Sequence, residues 1–353
     1  MLSLAFTAVV KRLAAHRGFV ARPAADRYHR GTVPLGGGIA IFAAMASIIL
    51  AVIIAVKFFA AAGRFDWLGQ STTVYTEGFL SKINQLWLIL LCISALFVLG
   101  LLDDKKRLSP GFKLAVQFAV ALIAAAFAEI RVEFFIESKI VTIVLSAFWI
   151  VLIINAFNFL DNMDGASAGI AVIIASILLT AAMLHGQVFV SGLTLVFIGT
   201  LAGFLVWNFP PAKIFAGDAG SFVIGFFIAL LSLRTTYYNQ AGSGQWFRVF
   251  MPMIVMAVPL YDFISVTLLR ISQGKSPFIG DTQHFSHRLK RHGLTDTQTV
   301  LTLYLATLCT GLGATFLYQV NLAGAILIFA QTFMILTIIA IFETTVKNDK
   351  NRD

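Results

Sequence analysis

Ten apolar runs, each long enough to cross a bilayer, leave this chain few ways to fold. They lie near residues 36–58, 84–102, 113–130, 139–158, 166–184, 188–207, 219–235, 249–269, 298–318 and 322–343. A transmembrane helix needs about 17–25 such residues. Inside lipid every backbone N–H and C=O must find its partner within the protein, which leaves the helix as the form for runs of this length. An all-α, polytopic integral membrane bundle of about 10–11 helices is therefore expected, with residues 1–353 as one domain. A further run, Leu2–Val10, is too short to cross by itself. Only 12% of the residues are charged, against about 25% in soluble domains. Cys92 and Cys309 both fall inside apolar runs and read as small packing residues, not as a disulfide or a metal site.

The loops expected on the chemically active side lie near 11–35, 103–112, 159–165, 208–218 and 271–297. Alternating the runs from a cytoplasmic 11–35 loop puts 19 of the 26 Lys and Arg residues on that side and 7 on the other. The positive-inside rule supports this orientation. The net charge of +9 is thus first a topology signal and calls for no nucleic-acid partner. The orientation uses no acidic residue, yet it gathers four polar clusters on the cytoplasmic face. Ionisable groups at a membrane edge are costly and mark function by default.

The first cluster is Asp103-Asp104, adjacent carboxylates that can face a cation or act as a general base. The second is Asn155, Asn158, Asp161 and Asp164, which step by three and would form one polar stripe on a helix, ended by Gly165. Helix capping accounts for one or two such residues, not four. Their hard oxygens suit Mg²⁺, with Mn²⁺ as a substitute. The third, Gly217-Asp218-Ala219-Gly220-Ser221, opens an apolar helix; its glycines admit an anion, while Asp218 calls for a metal between itself and a phosphate. The fourth, His284-Phe-Ser-His287-Arg288, sits in a basic loop suited to phosphate. Arg27, His29 and Arg30 precede Pro34-Leu-Gly36-Gly37-Gly38, whose glycines permit close backbone approach.

Taken in chain order, these motifs resemble the polyprenyl-phosphate N-acetylhexosamine-1-phosphate transferase family. The resemblance runs through Pro34-Leu-Gly-Gly, Gly100-Leu-Leu-Asp103-Asp104, Asn155-x-x-Asn158-x-x-Asp161-x-x-Asp164-Gly165, Gly217-Asp218-x-Gly220-Ser221 and His284-x-x-His287-Arg288. It implies transfer of a sugar 1-phosphate, with GlcNAc 1-phosphate favoured, from a UDP-N-acetylhexosamine to undecaprenyl phosphate, with release of UMP. That reaction opens cell-envelope polysaccharide synthesis at the cytoplasmic face of the bacterial inner membrane. The resemblance further implies Mg²⁺ on Asp218, with Asn158 or Asp161 nearby. Asp103 and Asp104 would stand at the acceptor phosphate, with Asp161 and Asp164 completing the catalytic set. Arg27, His29, Asn155, His284, His287 and Arg288 would bind substrate, and a homodimer is compatible with it. Pro-Leu-Gly-Gly and His-Phe-Ser-His-Arg favour a UDP-GlcNAc-like donor over UDP-MurNAc-pentapeptide. The rival from another class, a transporter, predicts carboxylates at helix midpoints and on both faces.

Overall fold

A computed structural model of the chain describes residues 1–21, 32–61, 70–128, 130–132, 136–237, 245–276 and 284–349. Arg27 and His29 lie outside the described residues. The first helix is α1 (Leu2–His16), followed by a two-stranded antiparallel pair, β1 (Val20–Ala21) and β2 (Val33–Pro34). Then come α2 (Gly37–Ala61), α3 (Gln70–Ser81), α4 (Ile83–Lys106), α5 (Pro110–Phe127), α6 (Lys139–Leu160), α7 (Ala166–Leu184) and α8 (Val188–Asn208). The chain closes with α9 (Gly217–Arg234), α10 (Met251–Val255), α11 (Ala257–Ser272), α12 (Phe285–Arg291), α13 (Asp296–Thr315) and α14 (Leu322–Asp349).

Among the described residues nine helices are long and apolar enough to span a membrane, matching nine of the ten runs. The protein is a multi-pass, all-α membrane bundle. The tenth run, 249–269, corrects the expectation of one straight span. It is α10 and α11, which with the 3-10 turn Trp246–Phe250 meet at a 66° bend. Pro259 supplies the reason: it has no N–H to give the Val255 carbonyl, and its ring clashes there, so the helix breaks at Met256. At the other end of the chain, α1 lies against α2 and α8. Ser3 Oγ donates to the Thr200 carbonyl at 2.6 Å, and the Lys11 ammonium sits 4.0 Å from the Trp207 ring.

The bundle is built around α9. Buried residues make up 78% of its span, against 17% for α14 at the periphery. Lipid tails are as apolar as leucine, so helix pairs in a membrane gain most where small residues let backbones close in. A Cβ on Gly225 would lie 2.6 Å from the Ile154 Cα of α6, one on Gly100 of α4 would lie 2.5 Å from the Ala219 Cα, and one on Gly38 of α2 would lie 2.4 Å from the Gly220 nitrogen. The glycine-rich start of α2 therefore serves helix contact. Gly37 and Gly38 donate to the Phe215 and Ala216 carbonyls at 2.8 and 2.9 Å, and Phe215 donates to the Pro34 carbonyl at 3.0 Å. These contacts clamp the start of α2 to the start of α9.

Candidate active site

Three helix ends meet where α9 begins. Asp103 and Asp104 close α4, and because consecutive helical residues point about 100° apart they do different things. Asp104 turns to the α9 N-terminus. Its two oxygens accept the backbone N–H groups of Asp218 (2.9 Å) and Ala219 (3.2 Å). The first turn of a helix has N–H groups without intrahelical partners and a positive dipole end, so a carboxylate borrowed from α4 caps α9. Gly217 makes room for it: φ is +68°, and a Cβ there would sit 2.6 Å from Asp104 Oδ2.

Asp103 is buried, with Oδ2 on the Lys113 ammonium of α5 at 2.6 Å and Oδ1 on the Leu108 N–H at 2.6 Å. The Asp103 and Asp218 carboxyl groups lie close enough to interact with each other. Two carboxyl groups in such contact either share a proton or hold a cation. Asp218 Oδ1 accepts from Asn158 Nδ2 at 2.9 Å, and the same amide nitrogen lies 3.0 Å from Ser221 Oγ. Asp103, Asp104, Asn158 and Asp218 are thus brought together, as their motifs led us to expect.

The expected stripe of four is corrected. Helix α6 stops at Leu160, Asp161 is its C-cap and Asp164 lies in the turn beyond. A step of three residues also rotates about 60° short of a full turn, so Asn155 does not share the outlook of Asn158. The Asn155 amide donates to Gln117 Oε1 of α5 (2.7 Å) and to the Val151 carbonyl (2.8 Å). Asp164 braces the next loop, its Oδ2 accepting the Ala212 N–H at 2.8 Å. Gly165, with φ +72°, is held on both sides, by Asn208 Oδ1 at its N–H and the Tyr304 hydroxyl at its carbonyl.

His284, His287 and Arg288 belong to the short helix α12 and its N-cap, where a basic loop was expected. Both histidines are buried. His284 Nδ1 lies 3.0 Å from Asp262 Oδ2, and Asp262 Oδ1 accepts the Phe285 N–H at 2.6 Å. Arg288 donates to Ser265 Oγ at 2.8 Å. Burial, with His284 close by, pulls the His287 pKa down to about 4, so it is neutral at physiological pH. The group docks on the end of α6: the Ser286 hydroxyl donates to Asn162, and the Phe159 ring lies edge-on to His284 at 5.4 Å. The imidazoles and Arg288 therefore stand beside the turn that carries Asp161 and Asp164.

Sequence reasoning missed Asp262, Lys113 and Gln117 as site residues. Asp262 and Arg270 are both buried in α11, and the Arg270 guanidinium lies 5.0 Å from the Phe159 ring. The rule applied to the other clusters would have found Asp262, since a carboxylate inside an apolar run, with Arg270 just past its end, is rarely idle. Both face the site's own side elements, so they give no support to a transport path.

Among the described residues no three His, Cys, Asp or Glu side chains form a ready-made metal cage. Mg²⁺ does not need one. It is bound through one or two carboxylates and completes its shell with water and substrate phosphate. The facing pair Asp103 and Asp218 is a donor set of that kind.

Comparison with known proteins agrees with this geometry. The model of the family described as glycosyl transferase family 4 matches residues 86–236, which hold both carboxylate clusters and Asp218. A probable undecaprenyl-phosphate N-acetylglucosaminyl 1-phosphate transferase of Bacillus subtilis is 33% identical over 310 residues, 86% of this chain and 78% of the relative. The decaprenyl-phosphate N-acetylglucosaminephosphotransferase of Mycobacterium tuberculosis is 29% identical over 323 residues, 85% of this chain and 76% of its own. An undecaprenyl-phosphate alpha-N-acetylglucosaminyl 1-phosphate transferase of Yersinia pestis is 27% identical over 320 residues, 87% and 79%. With identity at this level across most of both chains, and with the acidic helix ends falling inside the matched region, this chain belongs to glycosyl transferase family 4.

Proposed function

We propose that the protein transfers N-acetylglucosamine 1-phosphate from UDP-GlcNAc to a polyprenyl phosphate, releasing UMP, at the cytoplasmic face of a bacterial inner membrane. The observation that carries the reading is the meeting of Asp103, Asp104 and Asp218, with Asn158, at one end of a membrane bundle. Exposed Leu102 and Phe112 flank this end with apolar surface, which suits an acceptor whose tail stays in the bilayer while its phosphate reaches the carboxylates. The relatives, named for this sugar and for polyprenyl acceptors, support the substrate pair. The 19-to-7 division of basic residues supports the cytoplasmic side.

Phosphoryl transfer is mostly a matter of position and charge. An oxygen of the lipid phosphate forms a bond to the sugar-bearing phosphorus, the bond from that phosphorus to the UMP oxygen breaks, and UMP leaves with the electron pair. Mg²⁺ held by Asp218 and Asp103 would offset the charge of the pyrophosphate and of the leaving group. Asn158 steadies Asp218, and Asp104 fixes the start of the helix on which Asp218 rides. Lys113, paired with Asp103, supplies a positive charge beside the acceptor phosphate. Asp103, held by the Lys113 ammonium and the Leu108 N–H, is the carboxylate turned toward Asp218 and so toward the metal, while Asp104 is turned to the α9 N-terminus. Asp262 holds His284 at Nδ1 and so turns Nε2 toward the donor. Arg288 adds a planar cation for phosphate oxygens.

The test is UMP release by purified protein in detergent, with undecaprenyl phosphate and a panel of UDP-HexNAc donors including UDP-MurNAc-pentapeptide. Release should need lipid and Mg²⁺ together, be fastest with UDP-GlcNAc, and fall at least about 10³-fold in Asp218→Asn. Folded protein that is silent with every donor would sink the proposal. Full activity of Asp218→Asn, or full activity in excess chelator, would remove the metal from it.

A further inference from the structure

A cavity with one polar and one apolar wall lies at the opposite membrane face and takes no part in the site just described. It has a volume of about 420 Å³ and is lined by residues of the α5–α6 link, α6, the end of α9 and the bent α10 segment. Arg234 and Asp218 sit sixteen residues apart on α9. At 1.5 Å per residue the two sites are about 24 Å apart, on opposite sides of the bilayer.

Two of the seven basic residues that topology leaves on that face, Arg131 and Arg234, line this one cavity. Its polar wall is built and fixed. Trp149 Nε1 donates to Ser232 Oγ at 3.0 Å, and the Tyr237 hydroxyl donates to the Ser232 carbonyl at 2.8 Å. Gln187 Nε2 donates to the Arg234 carbonyl at 3.0 Å and Gln187 Oε1 accepts the Thr236 N–H at 2.9 Å, which anchors the Arg234 backbone. The Val132 N–H bonds Ser146 Oγ at 2.7 Å, so the link carrying Arg131 dips to the level of α6 rather than riding above it.

The other wall is apolar and opens sideways. Leu145 and Met253 line the cavity and are 42% and 50% exposed on the outer surface of the bundle, where the neighbour is lipid. Two guanidinium groups lining one cavity offer planar, always-charged donors that suit a phosphate. A free anion has no use for the apolar flank. An amphiphile uses both walls at once.

We propose that this cavity is a binding site for a lipid with an anionic phosphate headgroup, taken from the leaflet opposite the active site. Arg131 and Arg234 hold the phosphate, and the chain leaves past Leu145 and Met253. The occupant argued for is an anionic phospholipid. A polyprenyl phosphate offers the same chemistry, and the test separates the two.

Trp149 is a built-in reporter. The full chain is reconstituted in phosphatidylcholine nanodiscs, and brominated phosphatidylglycerol or brominated phosphatidylcholine is titrated in. The quenching at the site is the difference between the protein and Trp149→Phe. Phosphatidylglycerol should half-quench at about tenfold lower mole fraction than phosphatidylcholine, the scale of one charge-assisted contact. The Arg131→Gln/Arg234→Gln double variant should lose that preference while Arg131→Lys/Arg234→Lys keeps most of it. Unlabelled phosphatidylglycerol, undecaprenyl phosphate and inorganic phosphate then compete. Relief by phosphatidylglycerol identifies the phospholipid. Relief by undecaprenyl phosphate alone moves the occupant to the polyprenyl lipid and overturns the phospholipid assignment. Equal quenching by both brominated lipids, or relief by inorganic phosphate as strong as by lipid, overturns the lipid site, and the lipid contrast on unsubstituted protein decides this even where a variant fails to fold.

Discussion

Replacing Asp104 by Asn separates a helix cap from a catalytic carboxylate. Asp104 Oδ1 and Oδ2 accept the Asp218 and Ala219 N–H groups at 2.9 and 3.2 Å. Hydrogen bonds to a charged partner contribute about 1.5–3 kcal/mol each, and a carboxylate at a partly buried helix N-terminus adds up to about 2 kcal/mol. Asparagine keeps one acceptor oxygen, points an NH₂ group at the second N–H, and removes the charge. The net loss is about 2–4 kcal/mol. For a chain of this size that lowers Tm by about 4–8 °C in a detergent thermal-shift assay. Because Asp218 rides on the loosened turn, kcat in the UMP-release assay should fall about 10- to 100-fold, with a pH–rate profile of unchanged shape. Asp103→Asn should lower Tm by a comparable amount, because it breaks a buried ion pair and an N–H bond, but should cost about 10²–10⁴-fold in kcat. An Asp104→Asn protein with unchanged Tm and no activity would refute the capping argument and make Asp104 the base.

Other residues give sharper single outcomes. Asp262→Asn removes the charge at His284 Nδ1 and should cut kcat about 10- to 100-fold with little change in lipid KM, since such outer partners orient groups more than they bind. A rise in lipid KM alone would contradict this. His287 is neutral in the fold with a pKa of about 4 against 6.5 unfolded. Between those values the unfolded chain binds a proton that the folded chain does not, so stability rises with pH across the window. About 3 kcal/mol present above pH 6.5 is lost as the pH falls to about 4. Tm measured from pH 4 to 7 should show this slope, and His287→Gln should flatten it; an unchanged slope in the variant would assign the effect elsewhere. Gly100→Ala puts a methyl 2.5 Å from the α9 backbone. It should cost about 1–3 kcal/mol of stability and lower activity together with Tm, since it pries apart the helices that carry Asp103 and Asp218.

The legible part of this protein was its outline and its chemistry. Ten apolar runs determined the bundle because lipid forbids unpaired backbone, and that constraint is local to each run. The uneven spread of basic residues carried the orientation proposed for the bundle. Asp103-Asp104, Asn158 and Asp218 were legible because polar groups at span ends are costly enough to need a reason, and belonging to one ordered motif set made the reason specific. Tertiary structure decided which carboxylate does what. Asp103 and Asp104 are adjacent letters, but 100° of helix rotation sends one to Lys113 and the other to the α9 N-terminus. Asn155 and Asn158 share a pattern, yet one faces α5 and the other α9, because α6 ends and rotates where a repeat of three does not. Asp262 went unread in its apolar run, and its role rests on a 66° bend at Met256 and on the docking of α12, which puts His284 on it. Composition and period are properties of one segment, which the chain carries openly. Pairing across segments depends on how glycines 38, 100 and 225 let the helices close around α9, and only the packed bundle holds that information.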